Sequence, residues 1–224
     1  MNKCSENCTK YLLLELLYYY SNLPERYRRF RMETTPFENE RLAQVVRTAV
    51  QKFLAEYKEG HGLYIYSKLP GTGKTLIASI ALNEFFNQIV WQRVTKPAGV
   101  FINTTEFLEQ YRQNYELQDD NFFELLNNIE ECDVLILDDL GAERPTEFVR
   151  DRLYDIINKK YNQMKSIIVT SNIPLYDGDK LNSQLTTQLS ERICSRLAEM
   201  TYLVDLDNMH DVRLKNKEAK RTKF

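Results

Sequence analysis

At 224 residues the chain is long enough for one main core with modest terminal additions and short for two full domains. Its 43% hydrophobic and 28% charged residues exclude a disordered or fibrous protein. Thirty basic against 32 acidic residues, a formal net charge of -2, exclude a uniformly cationic nucleic-acid coat and leave any phosphate contact to local patches. The four cysteines Cys4, Cys8, Cys132 and Cys194 are scattered, which suits a reducing compartment. Only Cys4 and Cys8 are spaced as a pair, and two thiolates are half of a tetrahedral zinc shell; His61 and His210 are isolated. The most apolar run, residues 11–20, is about half the length of a bilayer-spanning helix and carries Glu15. No membrane segment and a cytoplasmic setting are therefore expected.

From the N-terminus, residues 12–20 read as a short helix with apolar residues almost all round, and 21–35 as a proline-punctuated stretch carrying Arg26, Arg28, Arg29 and Arg31. Helical spacing returns over 37–57. Strand and helix then alternate: a strand over 63–66, a loop to Gly73, and a helix over 75–88 whose apolar positions include Ile77, Ile80, Ala81 and Phe85. Further strands are predicted at 100–103, 134–137, 167–170 and 202–204, with helices over 105–115, 122–129, 146–164 and 185–198. Buried apolar strands alternating with helices predict an α/β fold with a five-stranded parallel sheet between helices. Three regions follow: a short N-terminal segment over 1–35, the main domain over 36–210, and a basic tail over 211–224.

Of seven glycines, four fall between Gly60 and Gly73, which locates the chemistry. The run Leu69-Pro70-Gly71-Thr72-Gly73-Lys74-Thr75 after a strand and before a helix is a P-loop. A triphosphate needs converging backbone N–H groups, and only glycine lets the chain fold that tightly. The opening helix adds its positive end, so Leu76 joins the candidate nucleotide-binding set. Lys74 would reach the β- and γ-phosphates, and the Thr75 hydroxyl would sit on Mg²⁺. The pattern asks for glycine five residues before Gly73, where this chain has Lys68, which either crowds the loop or adds a cation beside the phosphates.

The apolar strand 134–137 ends in Asp138 and Asp139. Asp138 is expected to orient Mg²⁺, and Asp139 to polarise the attacking water, a task many such ATPases give to glutamate. Alone, two acids at a strand end are an ordinary strand end; joined to a P-loop they become a site. A third strand, 167–170, leads to Asn172, which is placed to face the γ-phosphate or the water, the bland alternative being a Ser-Asn turn. Arg192 and Arg196 lie four apart and so share one helical face. That face is either simply solvated or, at a subunit edge, reaches a neighbour's γ-phosphate.

The order of motifs resembles the AAA+ ATPases of the initiator group, and residues 133–161, DVLILDDLGAERPTEFVRDRLYDIINKKY, are similar to the DnaC/DnaI helicase loaders. The likeness spans 23–213 and includes LPERYR at 23–28, the P-loop, Asp138-Asp139 with Gly141-Ala142-Glu143, Thr170-Ser171-Asn172, and ERICSRL at 191–197. It implies an AAA+ P-loop ATPase without a full C-terminal lid, using ATP and Mg²⁺, weak alone and stimulated by partners. It also implies self-association with the ATP site completed in trans by Arg196 with Arg192 beside it. The implied partners are a replicative hexameric helicase and single-stranded DNA. The N-terminal segment is shorter than the helicase-binding domain of longer loaders, which points to a phage or prophage version. The helix over 12–20 is the candidate helicase contact and is equally suited to packing on its own core. The arginine cluster and the tail from Lys215 to Lys223 are read as solvated rather than phosphate-bound. Two alternatives stand: an IstB-like transposition helper ATPase, and a non-hydrolysing nucleotide-sensing helicase adaptor.

Overall fold

The computed structural model describes residues 6–92, 97–114 and 119–207. The Cys4 and Cys8 thiols, His210 and the basic tail lie outside the described residues. The chain runs α1 (Glu6–Ser21), α2 (Glu25–Arg28), α3 (Glu40–Glu56), β1 (Gly62–Tyr66), α4 (Lys74–Ile89), β2 (Gly99–Asn103), α5 (Thr104–Asn114) and α6 (Asp120–Glu131). It continues with β3 (Val134–Asp138), α7 (Glu147–Asn162), β4 (Ser166–Ser171), a small hairpin of β5 (Tyr176–Asp177) and β6 (Lys180–Leu181), then α8 (Ser183–Gln188), α9 (Glu191–Met200) and β7 (Thr201–Asp205).

The five longer strands form one parallel sheet in the order β2-β3-β4-β1-β7. Successive side chains of a strand leave on opposite faces, so a sheet covered on both sides needs near-continuous apolar strands. Leu63 and Ile65 of β1 join Val46, Val50 and Phe53 of α3 and Ala81 and Phe85 of α4 in one core. Tyr64 and Tyr66 face the other, with Leu153 and Ile157 of α7 and Ile193 and Leu197 of α9. After β1 the chain crosses to the β2 edge, and after β4 it crosses back past β1 to β7. The crevice beyond the carboxyl ends of β1, β4 and β3 is therefore the switch point where such sheets take ligands.

The helix predicted over 185–198 is two helices, broken at Leu189 and Ser190. Leu185, Leu189, Ile193 and Leu197 are all buried at four-residue steps, so the apolar period runs through the break. The interruption comes from polar groups. Arg150 donates to the carbonyls of Thr187 (2.6 Å) and Gln188 (3.1 Å) that end α8, and Ser190, at φ 131°, caps α9 by accepting from the Ile193 N–H. The β5–β6 hairpin has strands too short to give a periodic signal.

α1 is longer than the predicted 12–20 and divides its apolar surface. Leu17 and Tyr18 are buried against the core of α4, while Tyr11, Leu12, Leu16 and Tyr19 are exposed. The buried Asn83 of α4 holds this segment down: its amide donates to the carbonyls of Tyr27 (2.9 Å) and Phe30 (2.8 Å), and its Oδ1 accepts from the Tyr18 phenol (3.0 Å). Of the four arginines, Arg31 donates to the Arg28 carbonyl (2.6 Å) and to the Tyr18 hydroxyl (3.0 Å), and Arg28 to the Leu23 carbonyl (3.1 Å). Those two shape their own segment, while Arg26 and Arg29 lie exposed over Tyr27 and Phe30.

Candidate nucleotide-binding site

The loop between β1 and α4 turns at Gly71 (φ 77°) and Gly73 (φ 87°), a left-handed conformation that side chains resist. Leu69, Pro70 and Gly71 are exposed, and Thr72 and Gly73 half-exposed, so the loop opens to solvent. Gly73 is the N-cap of α4, and the first intrahelical bond runs from the Ile77 N–H to the Gly73 carbonyl at 2.9 Å. The N–H groups of Lys74, Thr75 and Leu76 therefore have no partner within the helix and mark its anion-binding end. Lys74 is buried, its ammonium donating to the carbonyls of Ser67 (3.3 Å) and Leu69 (3.1 Å). Burial lowers its pKa, opposed by the carboxylates of Asp139, Asp207 and Asp138.

Lys68, which stands where the P-loop pattern has glycine, neither strains nor crowds the turn. The described non-glycine residues at positive φ are Asn22, Asp139, Met164 and Ser190, so Lys68 has an ordinary backbone, and its side chain is exposed. Its N–H donates to Asp207 Oδ2 (2.8 Å), and the neighbouring Ser67 hydroxyl donates to Asp207 Oδ1 (2.6 Å).

The first turn of α4 and the ends of β3 and β4 meet at Asp138. The Thr75 hydroxyl lies 2.9 Å from Asp138 Oδ1 and the Thr170 hydroxyl 2.6 Å from the same oxygen, both donating. The Thr170 oxygen in turn accepts from the Asp139 N–H at 2.9 Å. Burial raises the Asp138 pKa, and the hydrogen bonds from Thr170 and Thr75 oppose that. Thr75 and Asp138, from separate elements, thus make an oxygen pair of the kind that suits Mg²⁺, beside a lysine and a row of N–H groups that suit its phosphates.

Asp139 takes φ 58°, a conformation rare outside glycine but best tolerated by Asp and Asn, which turns it away from the strand. The turn behind it is closed by Glu143, whose Oε2 accepts from the Gly141 N–H (3.0 Å) and whose pKa burial raises. Asn172 is exposed, one residue beyond β4. Arg192 is exposed on α9, whereas Arg196 is stacked over Tyr154 (5.0 Å) and Tyr161 (5.5 Å) of α7 and donates to the Tyr154 hydroxyl (3.3 Å). The arginines share a helix face but not an environment. Sequence patterns name Thr170 only as part of the Thr170-Ser171-Asn172 motif, and they do not mark Asp207 or the Tyr154–Tyr161 clamp. Asp207 was findable as an acid just past the strand paired with β1; the clamp depends on two helices meeting.

The model of the IstB-like ATP binding protein family matches residues 64–220. The Bacillus subtilis (strain 168) replicative helicase loader DnaI is 30% identical over 141 residues, which are 61% of this chain and 41% of that protein. The phage-like element PBSX protein XkdC of the same strain is 25% identical over 131 residues, 56% of this chain and 45% of that protein. The chain thus matches less than half the length of these two relatives. A crystal structure of the DnaC helicase loader is similar with a TM-score of 0.64 and 28% identity, covering 81% of this chain and 99% of that one. The AAA+ sheet expected from the motifs is the fold this chain adopts. The family match takes in the end of the strand before the P-loop, the loop itself, both acids and α9, and the chain belongs to the IstB-like ATP binding protein family.

Proposed function

We propose that this chain hydrolyses ATP and uses it to load a hexameric replicative helicase onto single-stranded DNA in the cytoplasm. The observation that carries the ATPase half is the contact of Thr75 with Asp138 beside Lys74, which joins a phosphate-binding loop to a metal-binding carboxylate. The similarity to helicase loaders supports the other half.

On this account Lys74 exchanges the Ser67 and Leu69 carbonyls for the β- and γ-phosphate oxygens, while the backbone from Leu69 to Leu76 wraps the phosphates. Thr75 and Asp138 are the residues that would hold Mg²⁺, which would supply positive charge beside those oxygens. Asp139 accepts the proton of the attacking water, and Asn172 orients that water or the γ-phosphate. Arg196, with Arg192 beside it, acts on a neighbouring copy's γ-phosphate, so turnover needs self-association. The cation–aromatic contacts with Tyr154 and Tyr161 keep the Arg196 guanidinium against α7 until a phosphate competes for it. Residues 36–210 then form the ATPase domain, and the segment 1–35 meets the helicase through Tyr11, Leu12, Leu16 and Tyr19 of α1, whose side chains are exposed among the described residues.

The test is ATP hydrolysis by the purified protein with and without single-stranded DNA and the host's replicative helicase, with Arg196→Ala as control. Stimulation by both partners that disappears in the variant supports the loader. Binding of ATP without turnover under every condition supports a passive adaptor. The family match itself favours one second function, a transposition helper ATPase; stimulation by duplex DNA and a transposase, with none from the helicase, would establish it instead.

A further inference from the structure

Two donors in succession converge on one carboxylate at the start of the phosphate loop. The Ser67 hydroxyl donates to Asp207 Oδ1 at 2.6 Å and the Lys68 N–H to Oδ2 at 2.8 Å. Asp207 arrives there because β7 runs parallel beside β1, with Tyr66 opposite Asp205 and the Leu206 N–H bonded to the Tyr66 carbonyl at 2.9 Å. It is fixed in turn by its own N–H, which donates to Asp205 Oδ1 at 3.0 Å.

We propose that Asp207 is a positioning residue for nucleotide binding, which holds the first residues of the P-loop in the conformation that the missing glycine would otherwise have to find. The inference rests on the ATP-binding assignment above and adds a residue outside the loop, the two strand-end acids and the helix that carries Arg196. Ser67 connects the two ends of the device: its hydroxyl goes to Asp207 and its carbonyl receives Lys74, the lysine that must reach the phosphates. A pinned Ser67 and Lys68 leave less of the loop to be ordered when the triphosphate arrives, and that saving appears in affinity. Because Asp207 touches the loop and not the reacting atoms, its effect belongs to binding and not to the chemical step.

Asparagine separates geometry from charge. Its carbonyl oxygen can accept from Lys68 and its amide can donate to the Ser67 hydroxyl, so both contacts survive without the carboxylate. Binding of Mg-ATP to the full chain is measured by titration calorimetry for wild type, Asp207→Ala, Asp207→Asn and Ser67→Ala, each checked by thermal unfolding. The Lys68 contact is solvent-exposed and the Ser67 contact part-buried, so alanine at 207 is expected to weaken binding roughly fivefold to tenfold and Ser67→Ala about threefold, while asparagine stays within about threefold of wild type. Turnover at saturating ATP stays within about twofold of wild type in all three. Equal affinity in Asp207→Ala and wild type overturns the inference, as does an asparagine variant as weak as alanine, which would make the charge and not the geometry the cause. If Asp207→Ala does not fold, Ser67→Ala and Asp207→Asn decide the matter on the same terms. Failure of wild type itself to bind Mg-ATP is a different outcome and removes the ATP assignment.

Discussion

Thr170→Val keeps the shape of a fully buried residue and removes one hydroxyl that serves two partners. The oxygen donates to Asp138 at 2.6 Å and accepts from the Asp139 N–H at 2.9 Å, so the variant strips a carboxylate of a donor and leaves an amide unbonded. A hydrogen bond to a charged group contributes about 1.5–3 kcal/mol and a buried unsatisfied amide costs about 1–3 kcal/mol; allowing for relaxation, the loss is roughly 3 kcal/mol. In a chain of this size that lowers Tm by roughly 9 °C. The pH dependence identifies the cause. Burial already raises the Asp138 pKa, and deleting the Thr170 donor raises it further. A carboxyl whose folded pKa exceeds its unfolded value contributes stability below the unfolded value and loses it as pH rises through the folded one. Relative to wild type the variant is therefore penalised most at neutral pH, and the deficit narrows in acid as Asp138 takes up its proton. Urea unfolding at neutral and at acidic pH measures this. A deficit that is the same at both, or larger in acid, would refute the assigned role of Thr170 as a donor to an ionised Asp138.

Three further outcomes follow from the same geometry. A Cβ on Gly62 would lie 1.8 Å from the Ile167 carbonyl oxygen on the neighbouring strand, so Gly62→Ala should cost on the order of 3 kcal/mol or more in urea unfolding, and a near-neutral result would mean that β1 and β4 are spaced differently. On α1, Leu17→Ala should lose about 2–4 kcal/mol, whereas Leu12→Ser should stay within about 0.5 kcal/mol yet lose capture by the helicase in a pull-down; retained capture would remove α1 as the contact. Arg196→Ala should leave the Mg-ATP affinity of the lone chain unchanged, cost about 0.5–1 kcal/mol of stability through the lost stacking on Tyr154, and cut partner-stimulated turnover roughly a thousandfold.

The sheet was legible because a parallel sheet buried on both faces forces apolar strands, and a strand such as Val134-Leu135-Ile136-Leu137 admits few other settings. The same logic misled at residues 185–198, where the buried leucine and isoleucine positions keep helical spacing across a break made by Arg150 and Ser190. Apolar period reports which face is buried, and it is silent about whether the backbone between two buried positions is continuous. Capping residues could have marked the break, since Ser190 precedes Glu191 and Arg192 just as an N-cap precedes a first turn, but a serine inside an apolar period is weak against the period itself.

The site divides along a similar line. Lys74, Thr75 and Asp138 were readable because each belongs to a local pattern of residue type and spacing that phosphate and Mg²⁺ chemistry dictates. Thr170 and Asp207 act through contacts that cross between strands, 32 residues from Asp138 and 140 from Ser67, and no local spacing encodes those pairings. They become visible only once the order β3-β4-β1-β7 sets Thr170 beside Asp138 and Asp207 beside the loop. The residue that looked like a defect shows the point most clearly. Lys68 departs from the P-loop pattern, yet its backbone is unstrained and its N–H is held by a carboxylate two residues past the edge strand. A glycine in such a loop supplies freedom to adopt the turn, and a hydrogen bond from outside the loop can instead select the turn from among the conformations an ordinary residue has. Judged by the loop alone, this chain is a damaged nucleotide binder. On the role proposed for Asp207, a carboxylate two residues past β7 supplies from outside the loop what a glycine supplies within it.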